Sequence, residues 1–404
     1  MNSSSSHRKA PSPPSGRVDR HPRDIVFTEV FPPQVGGSGS WIFQLFARQP
    51  SDSYVVLAGS SEGGLVNESG YQQQIERHPL SMTDRSIGSI RSLRIYAKQI
   101  RLLWKTARRE GSRDIFAARP LQEGLVSYFA TRLTRASYTC FVHGEDIRSA
   151  TTSRELTLLT SLVLKNARRV IANSSYTYNM LRSEWKIPDS KIALLNPGID
   201  TDSFPPHAGE KRRNGWKGKL VLLTVGRLQR RKGHDNVIKA LPEIALRIPN
   251  IHYAIAGDGE EFDYLQSLVI ENHVEDKVEF LGEIDNDELL KCYQDCDVFI
   301  LANREIDGDV EGFGIVLLEA QSCGKPVVAG NSGGTRDTLI PNETGYLIDC
   351  STPEQLTKTI CEQLNCSSKR DEMGLAARSH VKSSFDWRVV DERMASIFSG
   401  TRPT

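Results

Sequence analysis

Short apolar runs alternate with amphipathic stretches along most of this chain. Asp24–Val30 predicts a strand, followed by Phe31-Pro32-Pro33 and a glycine loop, Gly36-Gly37-Ser38-Gly39. Ser40–Ala47 then carries Trp41, Leu45 and Phe46 on one helical face. Tyr54–Ala58, Ile115–Ala117, Thr139–His143 and Val170–Ala172 predict further short strands, separated by helical spacing. The pattern breaks at Asn196-Pro197-Gly198-Ile199-Asp200 and Phe204-Pro205-Pro206, then restarts after the basic stretch Gly209–Lys219. Strands are predicted at Leu220–Val225, His252–Ala256, Val278–Phe280, Val298–Ala302, Pro326–Ala329 and Gly345–Ile348. Helices are predicted between them at His234–Arg247, Glu260–Glu271, Asp287–Cys292 and Ile315–Ser322.

Strands alternating with helices imply parallel sheets covered on both faces. The expected fold class is therefore α/β, with two doubly wound Rossmann-like domains facing an interdomain cleft. The divisions expected are a tail (1–23), an N-terminal domain (24–205), a C-terminal domain (206–384) and a closing helix (385–404). That helix opens at Phe385-Asp-Trp387 and carries its own apolar face of Trp387, Val390, Met394 and Ile397, which suits a return to the N-terminal domain.

Composition narrows the function classes. The 51 Lys+Arg and 50 Asp+Glu leave a net charge of +1, which argues against a surface built throughout for nucleic acid. Residues 1–23 are rich in Ser, Pro and Arg without an apolar stretch, so they read as a disordered tail and not as a signal peptide. Runs such as Val298–Ala302 are far shorter than the roughly 20 residues a spanning helix needs. The seven cysteines, an odd number without zinc-type pairs, suggest free thiols of a reducing compartment. The expected location is cytoplasmic.

Four constellations carry candidate chemistry. In Glu311-Gly-Phe-Gly-Ile-Val-Leu-Leu-Glu319, two carboxylates flank a glycine loop and a helix start. Free N–H groups at that start can hold a phosphate, and Glu319 lies one turn on, where ribose hydroxyls could reach it. In Gly226-Arg227-Leu-Gln-Arg-Arg-Lys232-Gly233, cations follow a strand directly. Arg227 and Lys232 flank the turn and could converge on a diphosphate, whereas Arg230 and Arg231 are expected in solvent. The Gly36–Gly39 loop could present bare N–H groups across the cleft. His143, in Phe141-Val-His143-Gly-Glu145-Asp146, stands at a strand end and could donate to a sugar hydroxyl. Each has a plainer alternative: a loop–helix junction, a solvated basic loop, a tight turn, a structural histidine.

In this order the motifs resemble family 4 of the retaining glycosyltransferases, which have the GT-B fold. The resemblance runs from about residue 24 and includes Phe31-Pro-Pro, His143-Gly, Asn173-Ser174, Pro197-Gly-Ile-Asp200, Gly257-Asp-Gly259, Phe280-Leu-Gly282, Gly324-Lys-Pro326 and Ser332-Gly-Gly334. Asp309-Val-Glu-Gly-Phe-Gly-Ile-Val-Leu-Leu-Glu is most similar to the bacterial phosphatidylinositol mannosyltransferase-like subgroup. The resemblance implies that Glu319 binds the donor ribose and that Arg227 and Lys232 neutralise its diphosphate. Backbone amides of Phe313, Gly314 and Ile315 would hold phosphate and hexose hydroxyls, and Glu311 would contact the hexose. Gly37 would approach the phosphate, His143 the hexose 6-hydroxyl, and Gly282 to Ile284 the base. The substrate implied is a nucleotide sugar, GDP-mannose by subgroup, with UDP-glucose and UDP-N-acetylglucosamine as alternatives. The acceptor would be a lipid, glycan or small-molecule hydroxyl. Where the family places a glutamate after Ser332-Gly-Gly, this chain has Asp337.

Other readings compete. A nucleotide-sugar epimerase or a phosphorylase would need another anion pocket or a cofactor lysine. A non-catalytic sugar-nucleotide-binding relative would not need Glu311, Glu319, Arg227 and Lys232 together. Residues 85–113 hold nine Lys/Arg (85, 91, 94, 98, 101, 105, 108, 109, 113) and one acid, Glu110. Ile90, Leu93, Ala97, Ile100, Trp104 and Ala107 recur at helical spacing, so this basic amphipathic stretch suits either an anionic membrane surface or the N-terminal sheet. Asp307-Gly-Asp309 imitates a metal-binding pair, but the basic loop already supplies positive charge; no obligatory cofactor or metal is expected. Turnover should therefore survive EDTA. Abolition by chelator, restored by manganese, would make Asp307 and Asp309 ligands.

Overall fold

The computed structural model describes residues 21–32, 37–60, 72–81, 89–207, 209 and 212–399. Most of the expected tail, Gly36 of the glycine loop and Arg85 lie outside the described residues. The N-terminal sheet comprises β1 (Asp24–Thr28), β2 (Tyr54–Gly59), β3 (Gln74–His78), β4 (Asp114–Ala117), β5 (Ser137–Val142), β6 (Arg169–Ala172) and β7 (Ile192–Leu194). Its order is β3-β2-β1-β4-β5-β6-β7, parallel throughout. The C-terminal sheet comprises β8 (Leu220–Val225), β9 (Ile251–Ala256), β10 (Val278–Gly282), β11 (Val298–Leu301), β12 (Val327–Gly330) and β13 (Gly345–Ile348), in the parallel order β10-β9-β8-β11-β12-β13. The chain is thus two doubly wound Rossmann-like domains. β3 and β7 were not predicted. Both are edge strands, and neither Gln-Ile-Glu-Arg-His nor Ile-Ala-Leu makes an apolar run long enough to stand out.

Each sheet is covered on both faces. In the N-terminal domain, Ile25, Phe27, Val55 and Leu57 pack on one side, while Val26 and Val56 face Trp41, Phe46, Trp387 and Val390 on the other. The second set joins two helices from opposite ends of the chain, Gly37–Ala47 and Trp387–Ser399. The closing helix follows the C-terminal domain's helix Ser367–Ser384 yet packs on the N-terminal sheet. Two backbone bonds stitch the crossing: Ile199 N to Phe385 O (2.8 Å) and Trp387 N to Ile199 O (3.1 Å). The Phe398 and Phe116 rings meet edge to face, and the Arg48 guanidinium lies 4.5 Å from the centre of the Trp387 ring.

The basic stretch forms the helix Ile90–Glu110, capped by Ser89 and ended by the left-handed Gly111. Its inward face shares Ala107 and, in part, Ile100 with the expected stripe but is otherwise displaced from it. Ser92, Tyr96, Gln99, Leu103 and Thr106 are buried, while Leu93 is 57% exposed. Polar members of that face bond locally, as where Gln99 Nε2 donates to the Leu80 carbonyl and Ser92 N to Ser89 Oγ, so apolarity alone misidentified it. The acid Glu110 is also buried, paired with Arg23 and Arg109.

Removing a buried tryptophan costs about 3–5 kcal/mol. Trp387→Ala should lower unfolding stability in urea by that order, because it detaches the closing helix. A loss under about 1 kcal/mol would mean that the contact does not anchor it.

Candidate functional site

In each sheet the chain reverses its direction of travel once, and the candidate residues gather at those points. The C-terminal chain runs outward from β8 through β10, then returns to β11 on the other side of β8. Loops leaving the carboxyl ends of β8 and β11 therefore diverge around a crevice. Gly226–Lys232 leaves β8 into it, and the segment that carries Glu311 leaves β11. In the N-terminal sheet the corresponding point lies between β1 and β4.

Glu311 is the centre of the arrangement. Its Oε2 accepts from Arg231 Nη1 and Lys232 Nζ, both at 2.6 Å, and these side chains are only 13%, 11% and 11% exposed for Arg231, Lys232 and Glu311. Burial alone would push Glu311 upward; Lys232 and Arg231 outweigh it and hold the carboxyl below its ordinary range. Burial and the neighbouring Lys232 charge push His234 to about 3, so it stays neutral beside the clamp. Gly333, at φ 68°, lies against the Glu311 carbonyl, where a Cβ would stand 2.0 Å from the oxygen.

Arg231 departs from the expectation that it is solvated. It also reaches Asp309 at 3.1 Å, whereas Arg230 is 62% exposed and only 3.8 Å from Glu261. The reason is local: Arg230–Lys232 forms a 3-10 turn, which spaces successive side chains about 120° apart and lets two of three face Glu311. Asp309, expected in a solvated loop, is thereby an ion-pair partner. Arg227 is exposed and makes no ion pair among the described residues, so it is available to an anion. Among the described residues, no group of three or more His, Cys, Asp or Glu is arranged to hold a metal ion.

The glycine loop beyond Glu311 opens the helix Ile315–Ser322. Gly314 has φ 92°, a conformation that favours glycine. Phe313 turns its ring into a cluster with Ile199, Leu318, Val381 and Phe385, which leaves the amides of Phe313, Gly314 and Ile315 at the helix start. Ile315 and Glu319 line a cavity of about 290 Å³ with Ser40, Trp41 and Gln44 of the helix that Gly37 begins. The Tyr293 hydroxyl donates to Glu319 Oε2 at 2.5 Å. Gly282 ends β10 and accepts from Gly257 N at 2.8 Å; Ile284 packs partly buried beyond it.

His143 is buried against the Trp41 ring, and its carbonyl abuts Gly312 of the other domain. Its Nε2 lies 2.9 Å from the Ala118 carbonyl. A carbonyl only accepts, so Nε2 donates this bond, which leaves Nδ1 as the ring nitrogen left to meet a ligand. The two domains also meet where Asn173 Nδ2 donates to the Gly312 carbonyl at 3.4 Å. Asp337 crosses the cleft as well: it accepts from Ser175 N (2.5 Å), the Ser175 hydroxyl and Asn196 Nδ2 (3.2 Å), at the start of the helix Ser175–Ser183.

Comparison with known proteins identifies the family and the fold. The model for glycosyl transferases group 1 matches residues 208–380, and that for Glycosyltransferase Family 4 matches residues 35–203. A GDP-mannose-dependent alpha-(1-6)-phosphatidylinositol monomannoside mannosyltransferase of Mycolicibacterium smegmatis is 30% identical, over 94% of this chain and 98% of its own length. The chain belongs to the family 4 glycosyltransferases. A second relative of this glycosyltransferase, a GDP-mannose-dependent monoacylated alpha-(1-6)-phosphatidylinositol monomannoside mannosyltransferase of Corynebacterium glutamicum, is 28% identical over 93% of this chain and 97% of its own length. Among solved structures, HepE of Anabaena in complex with UDP has a TM-score of 0.78 at 19% identity, covering 94% of this chain and 100% of that one. Sucrose-phosphate synthase of Thermosynechococcus elongatus has a TM-score of 0.77 at 21% identity, covering 94% and 98%. Those two likenesses show the GT-B fold.

Hydrogen bonds to charged groups contribute about 1.5–3 kcal/mol each, so removing the Arg231 bond to Glu311 should cost roughly 10- to 100-fold in turnover. Arg231→Ala should show that loss together with a lowered melting temperature, since it removes one of the two cations on the buried Glu311, and Arg230→Ala should stay within about twofold of the parent in turnover with its melting temperature unchanged. Equal effects of the two substitutions would remove Arg231 from the site.

Proposed function

We propose that this glycosyltransferase moves mannose from GDP-mannose to a hydroxyl of a lipid acceptor, with retention at the anomeric carbon. The observation that carries the reading is the buried Glu311 clamp, which stands beside the unpaired Arg227 and a helix start at the interdomain cleft. The donor would lie across that cleft. Glu319 would take its ribose hydroxyls, Gly282 to Ile284 would flank the base, and Arg227 and Lys232 would neutralise the diphosphate. Gly37 would approach the phosphate from the other domain. Glu311 would accept from a hexose hydroxyl, and His143 would meet the 6-hydroxyl.

The chemistry follows from the charges. As the bond from the anomeric carbon to the diphosphate breaks, its electron pair goes to the phosphate oxygen. Arg227, Lys232 and the amides of Phe313, Gly314 and Ile315 stabilise that charge. The acceptor oxygen bonds to the same face of the carbon, and its proton passes to the departing phosphate. Glu311 is a poor candidate nucleophile because two cations already share its Oε2. A cleft closed from both sides excludes water, which would otherwise hydrolyse the activated sugar.

The outer face of the helix Ile90–Glu110 supports peripheral contact with an anionic membrane. Arg91, Arg94, Lys98, Arg101 and Lys105 are exposed and make no ion pair among the described residues. Leu93 on this helix, with Phe129 and Leu133 on the neighbouring segment, is a large exposed apolar side chain. Each cation near an anionic surface contributes about 1 kcal/mol. No helix among the described residues is long and apolar enough to cross a membrane.

Two measurements test the proposal. Incubated with anionic vesicles carrying phosphatidylinositol mannoside, the enzyme should release GDP from GDP-mannose and label the lipid. Preference for UDP-glucose or UDP-N-acetylglucosamine would move the donor assignment, and nucleotide binding without transfer to any acceptor would make the protein a binder. In sedimentation with phosphatidylglycerol vesicles, Arg94→Glu combined with Lys98→Glu should release most of the bound protein. Unchanged sedimentation would exclude this helix as the contact.

A further inference from the structure

Glu319 is unusually placed for a carboxylate that is to receive a ligand. It is largely enclosed, and among the described residues it makes one side-chain hydrogen bond, from the Tyr293 hydroxyl to Oε2 at 2.5 Å. No cation among the described residues pairs with it. Burial raises the carboxyl above its ordinary range, and the tyrosine offsets this only in part. The titratable groups nearby are Tyr293 on the helix Asn286–Asp295, Cys296 just past its end and Cys323 at the end of Glu319's own helix, with Arg48 and Asp200 also lining the cavity.

Tyr293 is itself held firmly. It is fully buried, and its ring meets Phe204 edge to face at 6.0 Å and Phe299 at 5.7 Å. Phe204 belongs to the segment that joins the two domains, and its carbonyl accepts from Ser322 and Arg378. The hydroxyl is therefore delivered from a rigid support to one carboxylate oxygen. That bond fixes the Glu319 rotamer and leaves acceptor positions open toward the cavity shared with Ser40 and Gln44.

We infer that Tyr293 is the positioning residue for ribose recognition: its hydroxyl holds the Glu319 side chain aimed so that the carboxylate accepts from the ribose hydroxyls of a nucleoside diphosphate. The inference rests on the proposed role of Glu319. A bulky aromatic in this place otherwise only fills the core, a task phenylalanine performs equally well, so the two roles separate at the hydroxyl.

The test compares GDP with 2′,3′-dideoxy-GDP by calorimetry on the full chain, parent against Tyr293→Phe. The parent should bind GDP more tightly than the dideoxy nucleotide. Loss of a hydrogen bond to a charged group predicts about tenfold weaker GDP binding in the variant. Dideoxy-GDP should bind both proteins within about twofold, because it lacks the hydroxyls that Glu319 would engage. Equal weakening of both nucleotides, or no weakening, overturns the role of Tyr293. A parent that binds both nucleotides alike instead overturns the ribose assignment of Glu319. Should the Phe variant fail to fold, Tyr293→Met removes the same hydroxyl while keeping an apolar side chain, and it is judged by the same comparison.

Discussion

A buried carboxylate costs several kcal/mol unless it is paired, and Glu311 is paired twice on one oxygen. That requirement ties together parts of the chain that are far apart in sequence. Arg231 and Lys232 must leave β8 in a tight 3-10 turn, and Glu311 must return to them from β11 on the adjacent strand. Gly333 must let the Glu311 carbonyl approach, and Gly312 must let His143 of the other domain do so. The clamp gives the crevice a fixed floor, with Arg227 left unpaired at its rim.

The interdomain contacts follow from the same arrangement. Asp337 lies just past Gly333 and Gly334, the residues that pack on the Glu311 loop, and its carboxylate meets the start of an N-terminal-domain helix. The closing helix supplies the second tie: it belongs to the C-terminal domain by sequence and to the N-terminal core by packing. Between these ties runs the segment Pro197–Phe204, which borders the cavity that Glu319 also lines. Movement of one domain against the other therefore acts on that cavity directly.

The parallel sheets were legible because buried parallel strands are apolar runs, such as Leu220–Val225 and Val298–Leu301. The edge strands Gln74–His78 and Ile192–Leu194 were not, since half-exposed edges carry no such run. The loop motifs put Arg227, Lys232 and Glu311 at strand ends and Glu319 one turn into the following helix, and the structure joins Lys232 to Glu311 in an ion pair. Arg231 was missed because a run of three cations reads as solvated when the turn that separates their directions is unknown. Tyr293 was missed for a related reason: the helix predicted at Asp287–Cys292 stopped one residue short, and a buried tyrosine reads as core until its hydroxyl is seen on Glu319. The inward face of Ile90–Glu110 was misread because Ser92, Gln99 and Thr106 are polar yet buried.

The central claim is that Lys232 serves both Glu311 and the donor's diphosphate. It is tested most directly by a binding cycle that compares GDP with GMP on the parent and on Lys232→Ala. The account predicts that GDP binds the parent much more tightly than GMP does. Loss of a charge-assisted hydrogen bond should shrink that gap by about 10- to 100-fold in the variant, with GMP affected little. If the substitution weakens GDP and GMP by the same factor, Lys232 does not contact the terminal phosphate, and the placement of the donor in this crevice is wrong.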